Sequence, residues 1–235
     1  MLCKIADLIT EVPDTGGLAP RVREYLWDKN ELPDIVIRES EFRPHAWKGA
    51  PYDLYCYMES GAVFCANLLY HDGMMLHASA VAYGGRAYLF SGSSGVGKST
   101  HTRLWKQIFG DEAVIINDDK PALRFQKGCW YAYGSPWCGK EGVNANLKVP
   151  IAGICFLEQG ERNSISSLSS QEAIPLVISQ TMYKFKQVEQ TQLMLQNVGN
   201  LIQHVPMFRM INRADFESVQ MTYECMLSHA RGCSL

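Results

Sequence analysis

No block of like charge, no CxxC pair, no internal repeat and no low-complexity segment occurs in these 235 residues. Each absence excludes something. Lys plus Arg number 22 and Asp plus Glu 24, for a net charge of −2. With neither sign gathered into a stripe, nucleic acid and membrane surfaces are not expected partners. The eight cysteines (Cys3, Cys56, Cys65, Cys129, Cys138, Cys155, Cys225 and Cys233) are scattered. They read as buried free thiols rather than as a secreted disulfide framework. No run approaches the ~18 apolar residues of a membrane span, and the opening Met1-Leu2-Cys3-Lys4 lacks a basic segment followed by an apolar one. A reducing, cytoplasmic location is the expectation. Hydrophobic residues at 47% and charged residues at 20% are ordinary globular usage, which excludes wholesale disorder.

What is present begins with turn signals at Pro13-Asp14, Gly16-Gly17, Pro33-Asp34 and Gly49-Ala50-Pro51. Between them the runs Ile35 to Ile37, Leu54 to Met58 and Ala62 to Leu69 predict strands. Residues 1–75 therefore read as a β-rich N-terminal extension, with Tyr52, Tyr55, Tyr57 and Phe64 as core or sheet-face aromatics. Leu76 to Ala82 and Arg86 to Phe90 predict a hairpin about Tyr83-Gly84-Gly85. The spacing of Leu104, Trp105, Ile108 and Phe109 predicts a helix from Lys98 to Phe109, closed by Gly110. Further strands are expected at Val114 to Ile116, Ala122 to Phe125, Trp130 to Tyr133 and Ile151 to Leu157.

The remainder reads as helical. Ser169 with Glu172 forms a capping-box pattern, although Pro175 follows closely. Met194, Val198, Leu201, Ile202 and Val205 make one apolar stripe. Phe216, Val219, Tyr223, Met226 and Leu227 make a second behind an Asn212 cap.

Chemistry concentrates in three places. Gly92-Ser93-Ser94-Gly95-Val96-Gly97-Lys98-Ser99 satisfies GxxxxGK[ST] between a predicted strand and a predicted helix. Glycines let backbone N–H groups turn inward around an anion, Lys98 neutralises β- and γ-phosphates, and Ser99 offers a hydroxyl to Mg²⁺. Asp118-Asp119 ends the next apolar strand, where one carboxylate serves the metal and the other can take a proton from an attacking hydroxyl. His77 opens the strand expected beside the loop. Lys140, beside Gly139, is a further candidate for phosphate or an acidic acceptor. Arg103 and Arg124 read as surface-pairing arginines, and Arg209 and Arg213 are left open.

Together, Leu76-His77-Ala78-Ser79, Ser91 through Ser99 and Asn117-Asp118-Asp119 resemble the catalytic half of HPr kinase/phosphorylase and its smaller kinase relatives over residues 74–160. Thr100 stands where HPr kinases have Glu, and Gly134 to Lys140 followed by Ile151 to Glu158 is similar to HPr-kinase-related proteins of peptide-modification and other accessory gene clusters. The resemblance implies an α/β fold. Residues 76–235 would carry a P-loop and a mixed sheet like that of phosphoenolpyruvate carboxykinase, with flanking and C-terminal helices. It also implies ATP and Mg²⁺ as cofactors. Residues Gly92 to Thr100 would bind the nucleotide, His77 would sit by the transferred phosphate, Asp118 would be the base, and Ser99 and Asp119 would hold metal. The roles within the Asp pair are interchangeable at this level.

The expected activity is an ATP-dependent kinase acting on a hydroxyl, with serine of a protein or peptide as acceptor. A kinase of free serine or another metabolite is the enzymatic alternative, and a non-catalytic nucleotide-binding regulatory module is a third. The material around the loop reads as a wall for an extended partner or as the interface of a homo-oligomer.

Overall fold

The computed structural model describes residues 1–43, 48–181 and 187–230. In chain order the elements are β1 (Leu2–Ile5), β2 (Leu8–Glu11), β3 (Ile35–Val36), α1 (Tyr52–Leu68), β4 (Gly73–Met75), β5 (Ala78–Tyr83), β6 (Arg86–Ser91) and α2 (Lys98–Phe109). They continue as β7 (Val114–Asn117), β8 (Ala122–Gln126), β9 (Cys129–Tyr133), β10 (Lys148–Gln159), β11 (Ser164–Ser167), α3 (Ser170–Gln180), α4 (Val188–His204), β12 (Met207–Asn212) and α5 (Phe216–His229).

Nine strands form one curled mixed sheet in the order β4-β8-β9-β10-β6-β5-β7, with β12 added to β10 and β11 to β12. The long strand β10 makes the curl. Its first residues, Lys148 to Pro150, pair antiparallel with β9, and Ile154 to Gln159 pair parallel with β12. Its other edge takes β6 in parallel. Since β5 is antiparallel to both β6 and β7, the strands β6, β7, β10 and β12 all point the same way. Their C-terminal ends, together with the start of β5, share one edge of the sheet, which is where ligands bind in open α/β sheets.

Side chains alternate across this sheet as the strand period requires. Ala78 and Ala80 of β5 and Ala87 and Leu89 of β6 face α3 and α4, joining Val177, Val198 and Leu201 in one core. Val81, Tyr88 and Phe90 face α2 and α5, joining Trp105, Val219 and Met226 in another. A third core joins β1 to β3 and α1 with Tyr133 and Trp137.

Several expectations need correcting. The two strands predicted at 54–58 and 62–69 are the single helix α1. Its buried residues Cys56, Tyr57, Ser60, Gly61, Phe64, Cys65 and Leu68 repeat every three to four positions, a stripe of small and aromatic residues with a single aliphatic one, which a search for aliphatic helical periodicity overlooks. Gly61 has to be small, because a Cβ there would lie 2.7 Å from the Trp137 indole. Strands β11 and β12 interrupt the region read as helical. Asp215, not Asn212, caps α5, accepting from Ser218 N–H at 3.0 Å, while Phe216 and Leu227 are exposed. Cys3, Cys56, Cys65, Cys138, Cys155 and Cys225 are free thiols. Cys129 is instead disulfide-bonded, and Cys233 lies outside the described residues. The capping box of Ser169 and Glu172 is present, with Pro175 accommodated inside α3.

His101 joins α2 to α5. Its ring lies 4.3 Å from that of Phe90 and its Nε2 is 3.1 Å from Thr222 Oγ1, with Nδ1 unpaired among the described residues. Burial pushes its pKa down to about 3, so the unfolded chain takes up a proton near the usual ~6.5 that the folded chain refuses. Stability is therefore full above that value and falls with pH below it, by about 1.4 kcal/mol per pH unit and about 2 kcal/mol by pH 5. His101→Gln is expected to flatten this acid slope. Urea melts of both proteins at pH 7 and pH 5 check it, and an unchanged difference between the two pH values would refute it.

No helix among the described residues is long and apolar enough to cross a membrane.

Candidate functional site

At the shared strand edge, Ser91 closes β6 and donates from Oγ to His77 O at 2.8 Å, tying the start of β5 to the start of the loop. Gly92 follows with φ 137°, and a Cβ there would lie 2.9 Å from Leu157 O of β10. Only glycine fits both demands. Ser93, Ser94 and Gly95 are exposed, and the chain then enters α2 at Lys98 with no side chain capping its first N–H groups. Those amides and the helix dipole present a positive end at the loop. Ser99 and Thr100 follow in the first turn, half-buried and exposed.

Lys98 is only 8% exposed, and its Nζ folds back to donate to Gly92 O at 2.9 Å and Ser93 O at 3.0 Å. Burial lowers its pKa, with Asp119 and then Asp118 pulling the other way. The ammonium therefore lies within the field of both carboxylates while bonded only to neutral carbonyls.

The carboxylates are set by Asn117, which is fully buried. Its Nδ2 donates to Ser135 O (3.1 Å) and Oγ (3.0 Å), and its Oδ1 accepts from Asp119 N–H (2.9 Å) and Lys120 N–H (2.7 Å). This side chain turns the backbone as it leaves β7 and sends the two acids to different neighbours. Asp118 accepts from Ser79 Oγ at 2.6 Å, and that hydroxyl also contacts Thr102 Oγ1 of α2 at 2.8 Å. Arg103 lies 4.0 Å from its other oxygen and pairs with Glu141. Asp119 pairs with the Lys120 ammonium and lies 3.5 Å from His77 Nε2.

His77 Nδ1 is 3.1 Å from Gln180 Oε1 at the end of α3. A proton on Nδ1 shared with that oxygen leaves Nε2, the nitrogen facing Asp119, as the atom that gains or loses a proton. Burial, then the Lys98 charge, hold its pKa below the usual histidine range against the pull of Asp119. The imidazole is therefore neutral at pH 7.

The wall beside Asp119 comes from Gly139, whose φ is 81° and where a Cβ would lie 3.1 Å from Asp119 Cβ. Residues of the N-terminal region hold this wall. Arg21 lies over the Tyr57 ring at 4.3 Å and donates to Gly139 O at 2.9 Å, while Tyr57 OH accepts from Gly139 N–H at 3.3 Å.

His77, Lys98 and the adjacent Asp118 and Asp119 thus come together from three segments. Lys140 is exposed one residue beyond the wall, and its ammonium makes no ion pair among the described residues. Arg124 donates to His71 O and Ala6 O and is structural, and Arg209 makes an exposed pair with Glu158. Arg103 makes the exposed pair with Glu141 that its surface reading expects, and it also lies 4.0 Å from Asp118. Lys120, Ser79, Gln180 and Arg21 escaped sequence reasoning. Lys120 had a signal, being next to the Asp pair, whereas Arg21 and Gln180 are distant in sequence and carried none.

No curated protein matches the chain. Among solved structures it is similar to the Hpr(Ser) kinase/phosphatase from Coxiella burnetii, with a TM-score of 0.40 and 9% identity, over 66% of this chain and 99% of that one. The family model of SynChlorMet cassette protein ScmC matches residues 58–218, well over half of the chain and every side chain of the cluster around Lys98 except those of the N-terminal region. The chain belongs to the ScmC family.

Proposed function

We propose that the protein is an ATP-dependent phosphotransferase that moves the γ-phosphoryl group to a hydroxyl, with serine of a peptide or protein as acceptor. The observation that carries this reading is Lys98. A buried ammonium at the end of a glycine-rich loop lies in the field of two carboxylates yet bonds to neither, but to Gly92 O and Ser93 O. A phosphate entering the loop offers Nζ a charged partner in place of those carbonyls.

In this reading the loop amides and Lys98 hold the β- and γ-phosphates. The acceptor oxygen attacks the γ-phosphorus, its proton passes to Asp118, the bond from that phosphorus to the bridging oxygen breaks, and ADP leaves. Ser79 fixes the Asp118 carboxylate by its 2.6 Å hydrogen bond. Neutral His77 adds no positive charge, so it can stand beside the transferred group without competing with Lys98 for it.

The donors suit Mg²⁺. Ser99 and Asp119 offer hard oxygens, the few protein ligands that this ion takes when phosphates supply others. Among the described residues no three His, Cys, Asp or Glu side chains gather into a cage of their own. Bound with the triphosphate, the ion supplies neutralisation of phosphate charge. Lys120 would yield its contact with Asp119 to it.

A peptide is favoured as acceptor because the N-terminal region, through Arg21 and Tyr57, braces the Gly139 wall beside Asp119 and so adds a surface next to the carboxylates that an extended partner can use. The test is incubation with γ-labelled ATP, serine peptides and small hydroxyl metabolites, followed by mass. Label on a peptide is the expected result. Label only on a metabolite would overturn the acceptor, and no transfer to any hydroxyl would overturn the kinase.

A further inference from the structure

Between the glycine-rich loop and the ends of β10 and β12 opens a cavity of about 340 Å³. Gly97 and Thr100 line it from the loop and the first turn of α2, Gln159 from the end of β10, and Asn212, Arg213 and Ala214 from the end of β12. None of the four residues around the transfer chemistry (His77, Lys98, Asp118 and Asp119) lines it. It lies on the β10 and β12 side of the loop, whereas the Asp pair ends β7 on the β5 side.

Its walls are fixed rather than loose. Gln159 Nε2 donates to Gly95 O at 3.2 Å, bracing the loop against β10. Asn212 is 4% exposed, and its Oδ1 accepts from Ala214 N–H at 2.8 Å, holding Ala214 in a left-handed conformation at φ 57°. Arg213 N–H is bonded to Asn163 Oδ1 at 2.9 Å, whereas its guanidinium has only a loose contact with Asp215 at 3.8 Å and a side chain that is 58% exposed. The backbone is thus anchored and the cation is free to turn. A second hollow of about 290 Å³ that shares Gly95 with the first is lined by Glu158, already paired with Arg209, and by no cation, which makes it the poorer seat for a polyanionic nucleotide.

We infer that the 340 Å³ cavity seats the base and ribose of the nucleotide, with the Arg213 guanidinium against the face of the base. This rests on the phosphate-loop reading and extends it to the part of the ligand that the loop does not touch. The volume falls within the range of small-molecule sites. The cavity adjoins the loop at Gly95 to Gly97 and the first turn of α2 at Thr100, which puts it next to any triphosphate that the loop amides hold. No aromatic side chain lines it, so stacking falls to the planar guanidinium.

The experiment compares ATP with inorganic tripolyphosphate, both with Mg²⁺, by calorimetric titration of the full chain. Tripolyphosphate occupies the loop but has nothing to place in the cavity. Ala214→Leu fills the cavity, and Arg213→Ala removes the cation while leaving the backbone at φ 57° undisturbed, so it serves should Leu not fold there. Each variant is expected to weaken ATP about tenfold relative to tripolyphosphate. A ratio of the two affinities unchanged in Ala214→Leu would overturn the seat, or in Arg213→Ala alone would remove the guanidinium from it. Should Leu not fold, the Arg213→Ala ratio decides the seat itself. If the unmodified protein binds neither ligand, the phosphate loop itself fails and the inference falls with it.

Discussion

Lys98→Ala is expected to abolish the stabilisation of the protein by Mg²⁺-ATP and to lower phosphoryl transfer by about a thousandfold. A ligand that binds only the folded state at a hundred times its Kd adds about 2.7 kcal/mol. For a chain of this length that is a rise in Tm of roughly 5–10 °C. The variant should show none of it.

Its unliganded Tm should barely move. Nζ donates to two carbonyls, Gly92 O and Ser93 O, at an exposed loop where water replaces it, and the burial that lowers its pKa is a cost that alanine does not carry. A drop in the unliganded Tm comparable with the lost ligand shift would make Lys98 a structural lysine. A full ligand shift in the variant would remove the loop from nucleotide binding altogether.

The loop and the hairpin before it were legible because each rests on local chemistry. Tyr83-Gly84-Gly85 turns where glycines follow one another, and α2 runs from Lys98 to Phe109 with Gly110 at its end, as the apolar spacing requires. The stripe of Met194, Val198, Leu201 and Ile202 is buried on α4 for the same reason. Helix α1 was not legible. Its buried face is built from cysteine, serine, glycine and tyrosine, and even holds Glu59, which is 1% exposed and paired with Arg43. Phe64 and Leu68 add to it, but the small residues among them answer to the close approach of Trp137 and thin out the aliphatic period. Strand β12 was likewise hidden, since its place is set by parallel pairing with β10, more than fifty residues earlier.

The site divides the same way. Lys98 and the Asp pair announce themselves by motif, whereas Gln180 on His77, Arg21 on Gly139 and Arg213 at the cavity are brought in by the fold. His77 lay between the two. Its position before β5 was visible, but its neutrality depends on burial and on Lys98, neither of which a sequence states.

The two aspartates are expected to fail differently, and the contrast between them is the sharper test of the chemistry. Asp118→Asn keeps the shape of the side chain and an oxygen to accept from Ser79 Oγ, so the loop and its nucleotide should be undisturbed. What it loses is basicity, and transfer should fall by about a hundredfold to ten-thousandfold with ATP affinity within about twofold. Asp119→Asn removes the charge that faces Lys120 and His77. It leaves the proposed Mg²⁺ ligand neutral, so the Mg²⁺ concentration needed for ATP binding should rise about tenfold. The same change deprives His77 of the carboxylate that raises its pKa, moving the imidazole further toward neutrality, so no new charge is introduced beside the phosphate to mimic a metal effect. Titrating ATP at several Mg²⁺ concentrations and measuring turnover on the same preparations separates the two outcomes. If Asp118→Asn shifts the Mg²⁺ requirement while Asp119→Asn abolishes transfer at saturating metal, the roles are reversed. If both variants transfer phosphate normally, the pair is not catalytic, because neither remaining carboxylate chemistry nor its field at Lys98 would then be needed for the reaction.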